Sequence, residues 1–455
     1  MKKHLLFIIL SAISFAVCAQ NVHFETTFET AKSFSLKTHK PLFVFISVTP
    51  PASVANYSDG FSNTGLVESL NSHFITYKVN RADTNALAFI KTYHLSIFPT
   101  ILVFDSKGGL LLKKSGIDVV ASKLLGIANE ALSLSKQKSL ITYDEEFKNN
   151  QLTIPEIKAY VNKRISVGLK DNAEIMEKYI DFLKVSDLSN YDEVLFILKA
   201  GPLVDGRAYK AAYLNKEIID SIYKKEPLIV RNEINNAIIT NSLMSAIADK
   251  NYFRANATAN FTRSSWGGNY RQAIKSSTLN LLRYYQAVKD TTNYLLTAGR
   301  YYDQNYMQIS ADSIKILDQK ERSAIQEKLN TSLYSKKPFN IDSISKGNDV
   351  VLRRDIISFN TSSFANELNN AAFSFYLTGT KNQSYLIKAM NWSKRSIDLN
   401  PIYGYYDTLA HIFYRLGFYL EAENTQLKAL ALAKKENRDV TMIQKELEKM
   451  QNKTL

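Results

Sequence analysis

The side chains able to carry bond-making or proton-transfer chemistry are few and scattered. Histidine occurs at His4, His23, His39, His73, His94 and His411, and no two stand at the HExxH or paired-ligand spacing that puts two imidazoles on one helix face toward a metal. Cys18 is the single cysteine, so no CxxC couple can form. Ser53 ends the stretch Thr49-Pro50-Pro51-Ala52-Ser53. It has no neighbouring base in sequence and reads as a helix N-cap, because its hydroxyl can accept from a free backbone N–H. No GxGxxG, Walker or GxSxG loop occurs. The residues therefore assign no catalytic, cofactor or metal position. Trp266-Gly267-Gly268 is the most unusual loop, and the expectation is a helix connection whose tryptophan is buried, as large aromatics mostly are.

The first nineteen residues combine Lys2 and Lys3, an apolar run from Leu5 to Ile13, and Val17-Cys18-Ala19 before Gln20. That pattern reads as an export signal, residues 1–19, cleaved after Ala19. Anchoring of a lipid at Cys18 is the less favoured reading, because Val17 branches where Gly or Ala is usual. The expected location is periplasmic or secreted, with no cysteine left after cleavage. No later segment reaches about 18 uninterrupted apolar residues, so no transmembrane segment is expected. The net charge of +14 favours anionic surfaces or acidic partners. Its lysines and arginines are dispersed and not gathered into a tract, which argues against nucleic acid.

Prolines divide the 455 residues. Pro41, Pro50, Pro51 and Pro99 fall early, while Pro155, Pro202, Pro227, Pro338 and Pro401 are spread over the rest, leaving room for long helices there. Early on, apolar β-rich runs occupy Leu42 to Ser47, Phe74 to Val79, Ile101 to Phe104 and Leu110 to Lys113, with a turn at Asp105-Ser106-Lys107-Gly108-Gly109. Helical periods fill Thr30 to His39, Thr84 to Tyr93 behind Asp83, and Val119 to Leu134.

This order, with "THKPLFVFIS", "LNSHFITYKVN" and "SIFPTILVFDSKGGLL", resembles the thioredoxin fold over about Val22 to Leu134. The resemblance implies that Pro99, between Phe98 and Thr100, is the family's cis-proline. Where that family carries its two cysteines at a helix start, this sequence has Pro50, Pro51, Ala52 and Ser53. A hydroxyl cannot replace a thiolate whose pKa a helix end has lowered, so disulfide exchange is excluded and the site is degenerate.

Helical patterns continue from Ile154 through Ile175 to Leu183 (with a cap at Asp171), Tyr191 to Leu198, Ala211 to Tyr223, Ile234 to Ile247, Tyr270 to Val288, Thr292 to Tyr306 and Ser313 to Leu333. Near the end, Tyr405 to Lys435 resembles a tetratricopeptide repeat, with Tyr406, Leu409, Ala410, Phe413, Gly417, Tyr419, Ala422 and Ala429 in the packing positions. Gln426 stands where an aromatic is usual. A second copy precedes it, with Leu368, Ala371, Ala372, Phe375, Gly379, Ala389, Ser393, Ser396 and Pro401. Residues Lys434 to Met450 would form a solvating cap helix.

The expected fold class is thus an α/β thioredoxin-like N-terminal domain, 20–135, followed by an all-α helical region, 136–345, and a TPR-like array with capping helix, 346–455. The expected function is protein or peptide binding, as a scaffold or chaperone, with contacts at Asn366, Asn369, Asn370, Tyr406, His411 and Arg415 on the inward helices. The alternative is an enzyme such as a hydrolase, with its site in the helical part or between the two parts. A third possibility is that the groove beside Pro99 still holds extended peptides without exchanging bonds.

Overall fold

The computed structural model describes residues 21–49, 60–310, 312–314, 316, 319–320, 323 and 363–455. The chain forms two compact units that meet in sequence between Leu169 and Lys170.

The first unit is built on a mixed five-stranded sheet. Its strands are β1 (Phe24–Glu25), β2 (Leu42–Ser47), β3 (Ile75–Asn80), β4 (Thr100–Phe104) and β5 (Leu110–Ser115), in the spatial order β1-β3-β2-β4-β5. Strands β1, β3 and β2 run parallel, while β4 is antiparallel to β2 and β5 to β4. The helices are α1 (Phe28–Thr38), α2 (Thr64–His73), α3 (Thr84–Thr92), α4 (Ala121–Ser135), α5 (Leu140–Lys148) and α6 (Ile154–Ser166).

Strand β2 is apolar on both faces because helices cover both, the pattern of a central parallel strand. Phe43 and Phe45 join Ile101, Val103, Leu66, Leu70, Leu124 and Ala128 in one layer. On the other side the Phe28 ring packs against Tyr77, Phe89 and Phe104. Strand β1, two residues long, is too short to register as a sequence pattern. The Asp105 turn closes as expected: Oδ1 accepts from the Lys107 and Gly109 amides at 2.9 and 2.8 Å, and Gly108 supplies the positive φ of 93°. Asp83 does stand before α3, but its carboxylate accepts from the Asn80 amide at 3.1 Å and makes no bond to the helix.

Helices α5 and α6, which sequence assigned to the segment after residue 135, belong to this unit. Lys163 of α6 lies near enough to Asp105 to feel its charge, and burial holds its ammonium below the usual lysine range.

The second unit is helical throughout its described length: α7 (Ala173–Tyr179), α8 (Tyr191–Lys199), α9 (Arg207–Ala212), α10 (Lys216–Lys225), α11 (Leu228–Ala248), α12 (Tyr252–Ser264), α13 (Tyr270–Ala287), α14 (Thr291–Tyr302), and, after residue 363, α15 (Ser363–Leu377), α16 (Gln383–Leu399), α17 (Tyr403–Arg415), α18 (Tyr419–Lys435) and α19 (Thr441–Gln451). Three expectations need correction. Asn172, not Asp171, stands at the N-cap of α7. The single helix read over Ala211 to Tyr223 is two, α9 and α10, because Asn215 turns the chain and accepts from the Ile218 amide at 3.3 Å. The helix read over Thr292 to Tyr306 ends at Tyr302 and passes into a π-helical turn, Asp303–Met307. The stretch Ser313 to Leu333 lies largely outside the described residues.

Small residues stand where the last helices cross. Ala371, Ala372, Ala389, Ala410, Ala422, Ala429 and Ala433 are all 2% exposed or less, which lets backbones approach closely. A core cluster of this unit gathers Trp392, Phe375, Tyr294, Tyr301, Tyr306 and Leu368.

Candidate functional site

At the carboxyl ends of β2 and β3, the Phe98–Pro99 bond is cis. Phe98 is buried under the Arg81 guanidinium, 4.9 Å from its ring centre. Thr100, fully buried, bonds the Ile97 carbonyl at 2.6 Å, and the Pro99 carbonyl accepts from Gly116 at 2.8 Å. Asn80 Nδ2 donates to Thr49 Oγ1 at 2.9 Å. Ile97 projects from this loop with 56% of its surface exposed. Pro50, Pro51, Ala52 and Ser53 lie outside the described residues. At the far end of β4, a cavity of ≈ 200 Å³ is lined by Phe28, Lys32, Tyr93, Phe104, Asp105 and Gly108 among others; it is smaller than the sites that enclose small ligands.

The six residues expected to contact a partner are not one surface. Asn366 is half-buried and accepts from the Tyr405 hydroxyl. Asn369 is buried, its Oδ1 without a hydrogen-bond partner. Tyr406 packs with the cluster of Ala429, Ala433 and Ile443. His411 is buried, with Nδ1 2.8 Å from the Asp407 carbonyl and Nε2 3.3 Å from Glu446 Oε2. Arg415 sits over Tyr376, its guanidinium carbon 3.7 Å from the ring centre, and also bonds the Tyr376 carbonyl. Only Asn370 faces solvent openly. A pattern of polar residues on one helix cannot show that their partners arrive from another.

Those partners form a polar seam through α15, α17, α18 and α19. The His411 ring stands edge-on to Tyr376 at 5.3 Å and Phe373 at 6.5 Å. Glu446 also accepts from Lys449 at 2.7 Å. Burial works against the Glu446 carboxylate, but hydrogen bonds from Lys449 and His411 outweigh it and hold the group below the usual carboxylate range. Burial raises the Tyr376 phenol. Gln426, fully buried, donates to Asp407 at 2.7 Å and to the Ile443 carbonyl at 3.2 Å. The glutamine that departs from the repeat pattern thus ties α18 to α17 and α19.

The seam fixes Tyr376 and with it the outer face of α15. Asn370, Phe373 and Leu377 fall at i, i+3 and i+7, the spacing of one helix face. Asn370 is exposed, Phe373 is half-buried and Leu377 keeps 65% of its surface in solvent. Sequence reasoning missed Tyr376, Phe373, Leu377 and Glu446. The run Phe373-Ser374-Phe375-Tyr376-Leu377 was the available signal, since its apolar residues outnumber those one helix face can bury.

A second polar group borders the core, its Asp303 and Lys388 side chains still 36% and 38% exposed. Asp303, on the π-helical turn, accepts from Trp392 Nε1 at 2.8 Å and pairs with Lys388. Beside it Tyr302 contacts Tyr306 and Trp392 at 5.4 and 5.3 Å. Burial raises the Glu367 carboxyl, a rise that Lys275 opposes. Comparison of the chain with protein-family models, with curated proteins and with solved structures gives no match.

Proposed function

We propose that this chain is an exported interaction protein, in which a thioredoxin-like unit without a redox couple accompanies a tetratricopeptide-like array that binds protein or extended peptide along the α15 face. The observation that carries the reading is the ridge of Asn370, Phe373 and Leu377, held in place from behind by the Arg415–Tyr376–His411 stack. Leu377 supplies an exposed apolar side chain and Asn370 an exposed amide beside a half-buried Phe373, and a helix face held rigid in this way loses little entropy on binding. For the thioredoxin-like part, support comes from the strand order β1-β3-β2-β4-β5, the antiparallel β4 and the cis Phe98–Pro99 bond. The paired helices α15–α16 and α17–α18, with alanines at their crossings, support the repeat reading. The basic leader and small-residue site before Gln20 support export.

The test uses an unfolded reporter, carboxymethylated lactalbumin, and the full chain. Leu377→Glu is expected to weaken its binding about tenfold, the loss of roughly 1.4 kcal/mol, while Asn424→Asp on exposed α18 surface leaves it unchanged. Equal affinities for both variants would sink the α15 assignment.

A further inference from the structure

Helices α12 and α13 form an antiparallel hairpin whose charge is of one sign. From Lys250 to Lys289 the sequence has no aspartate or glutamate, only lysines and arginines. At the open end of the hairpin, Arg254 is neutralised by Asp205 and Asp249 at 2.9 and 2.8 Å. The other end, the tip at residues 263–274, has no such compensation. Arg263 closes α12 and Arg271 opens α13, both exposed, and neither makes an ion pair or side-chain hydrogen bond among the described residues.

Between them the loop presents large side chains to solvent. Trp266 is 42% exposed and Tyr270 73%, with Ile274 a turn further at 37%. This corrects the expectation that Trp266 is buried: it keeps 42% of its surface in solvent, beside Gly267 and Gly268, which have no atom within 4 Å of an added Cβ. Trp392, the other tryptophan, is fully buried.

We propose that this tip docks on an anionic lipid bilayer, with Trp266 and Tyr270 at headgroup level and Arg263 and Arg271 on lipid phosphates. Indole and phenol rings, apolar in body and polar at the edge, favour that layer. Each flanking cation adds attraction to a negatively charged leaflet. Charge and open space decide between occupants. A peptide needs walls against which to bury its own side chains, and Gly267 and Gly268 have none within 4 Å of an added Cβ, whereas an anionic bilayer needs only exposed rings beside exposed cations.

The experiment mixes the full chain with phosphatidylcholine vesicles, with and without a third of phosphatidylglycerol, and follows co-sedimentation and tryptophan emission. Binding is expected only with the anionic lipid, with a blue shift of emission that Trp266→Phe abolishes. Salt at about 0.5 M should release the protein, because the Debye length then falls to a few ångströms. Arg263→Gln with Arg271→Gln should weaken partitioning about thirtyfold, and Trp266→Ala about tenfold. Absence of vesicle binding, equal binding to neutral vesicles, or an unchanged R263Q/R271Q variant overturns the proposal. Capture of polyglutamate by a chain that ignores vesicles assigns the tip to an acidic protein instead.

Discussion

Trp392→Ala is expected to cost the helical unit about 4 kcal/mol, the range found for emptying a buried aromatic site. The indole is fully buried, with ring centres 4.7 Å from Phe375 and 5.3 Å from Tyr302. Its Nε1 donates to Asp303 at 2.8 Å, so truncation also removes a partner from a carboxylate on the π-helical turn. Trp392→Phe keeps most of the packing and loses the bond, and should cost about half as much. Urea unfolding followed by far-ultraviolet circular dichroism reads both. An alanine variant within 1 kcal/mol of the parent would mean that Trp392 does not hold α16 against α14 and α15.

Gly201→Ala should destabilise the same unit by about 3 kcal/mol. Gly201 has φ of 73°, where an L side chain is strained by roughly 1–2 kcal/mol. An added Cβ would stand 2.6 Å from Asn241 Nδ2 and 2.9 Å from the Ala237 Cβ, and overpacking of that kind costs about 1–3 kcal/mol. The amide it would displace is not idle: Asn241 Nδ2 donates to the carbonyls of both Gly201 and Lys170 at 2.6 Å. Gly404→Ala, with no neighbour within 4 Å and no positive φ, serves as the control and should be near neutral in the same titration. A Gly201 variant as stable as that control would show that the α8–α11 contact yields readily.

The central strand was legible because Leu42 to Ile46 is an unbroken apolar run closed by Ser47, and the strand's observed bounds are Leu42 and Ser47. The turn at Asp105 was legible from turn chemistry, and α13 from a helical period that begins at Tyr270. What failed to show depends on partners distant in sequence. Asn369 and His411 look like surface residues on their own helices, yet both are buried, and His411 faces Glu446 on a helix 35 residues away. Gln426 looked like a lapse from the repeat and is instead a bridge to Asp407 and Ile443. Periodicity carried the Thr292 helix through to Tyr306 because a π-helical turn keeps an apolar face while shifting its register, which no 3.6-residue count detects. Trp266 departs from the habit of its residue type because the two glycines after it add no side chains that could complete its cover, and 42% of it stays exposed.

The most direct measurement of the binding claim is photo-cross-linking from benzoylphenylalanine placed singly at Asn370, Leu377 and Asn424 in the full chain within its producing cells. Discrete protein adducts from positions 370 and 377, and none from 424, are the predicted result. Adducts of equal yield from all three positions, or adducts from 424 in place of the α15 pair, would contradict recognition along α15.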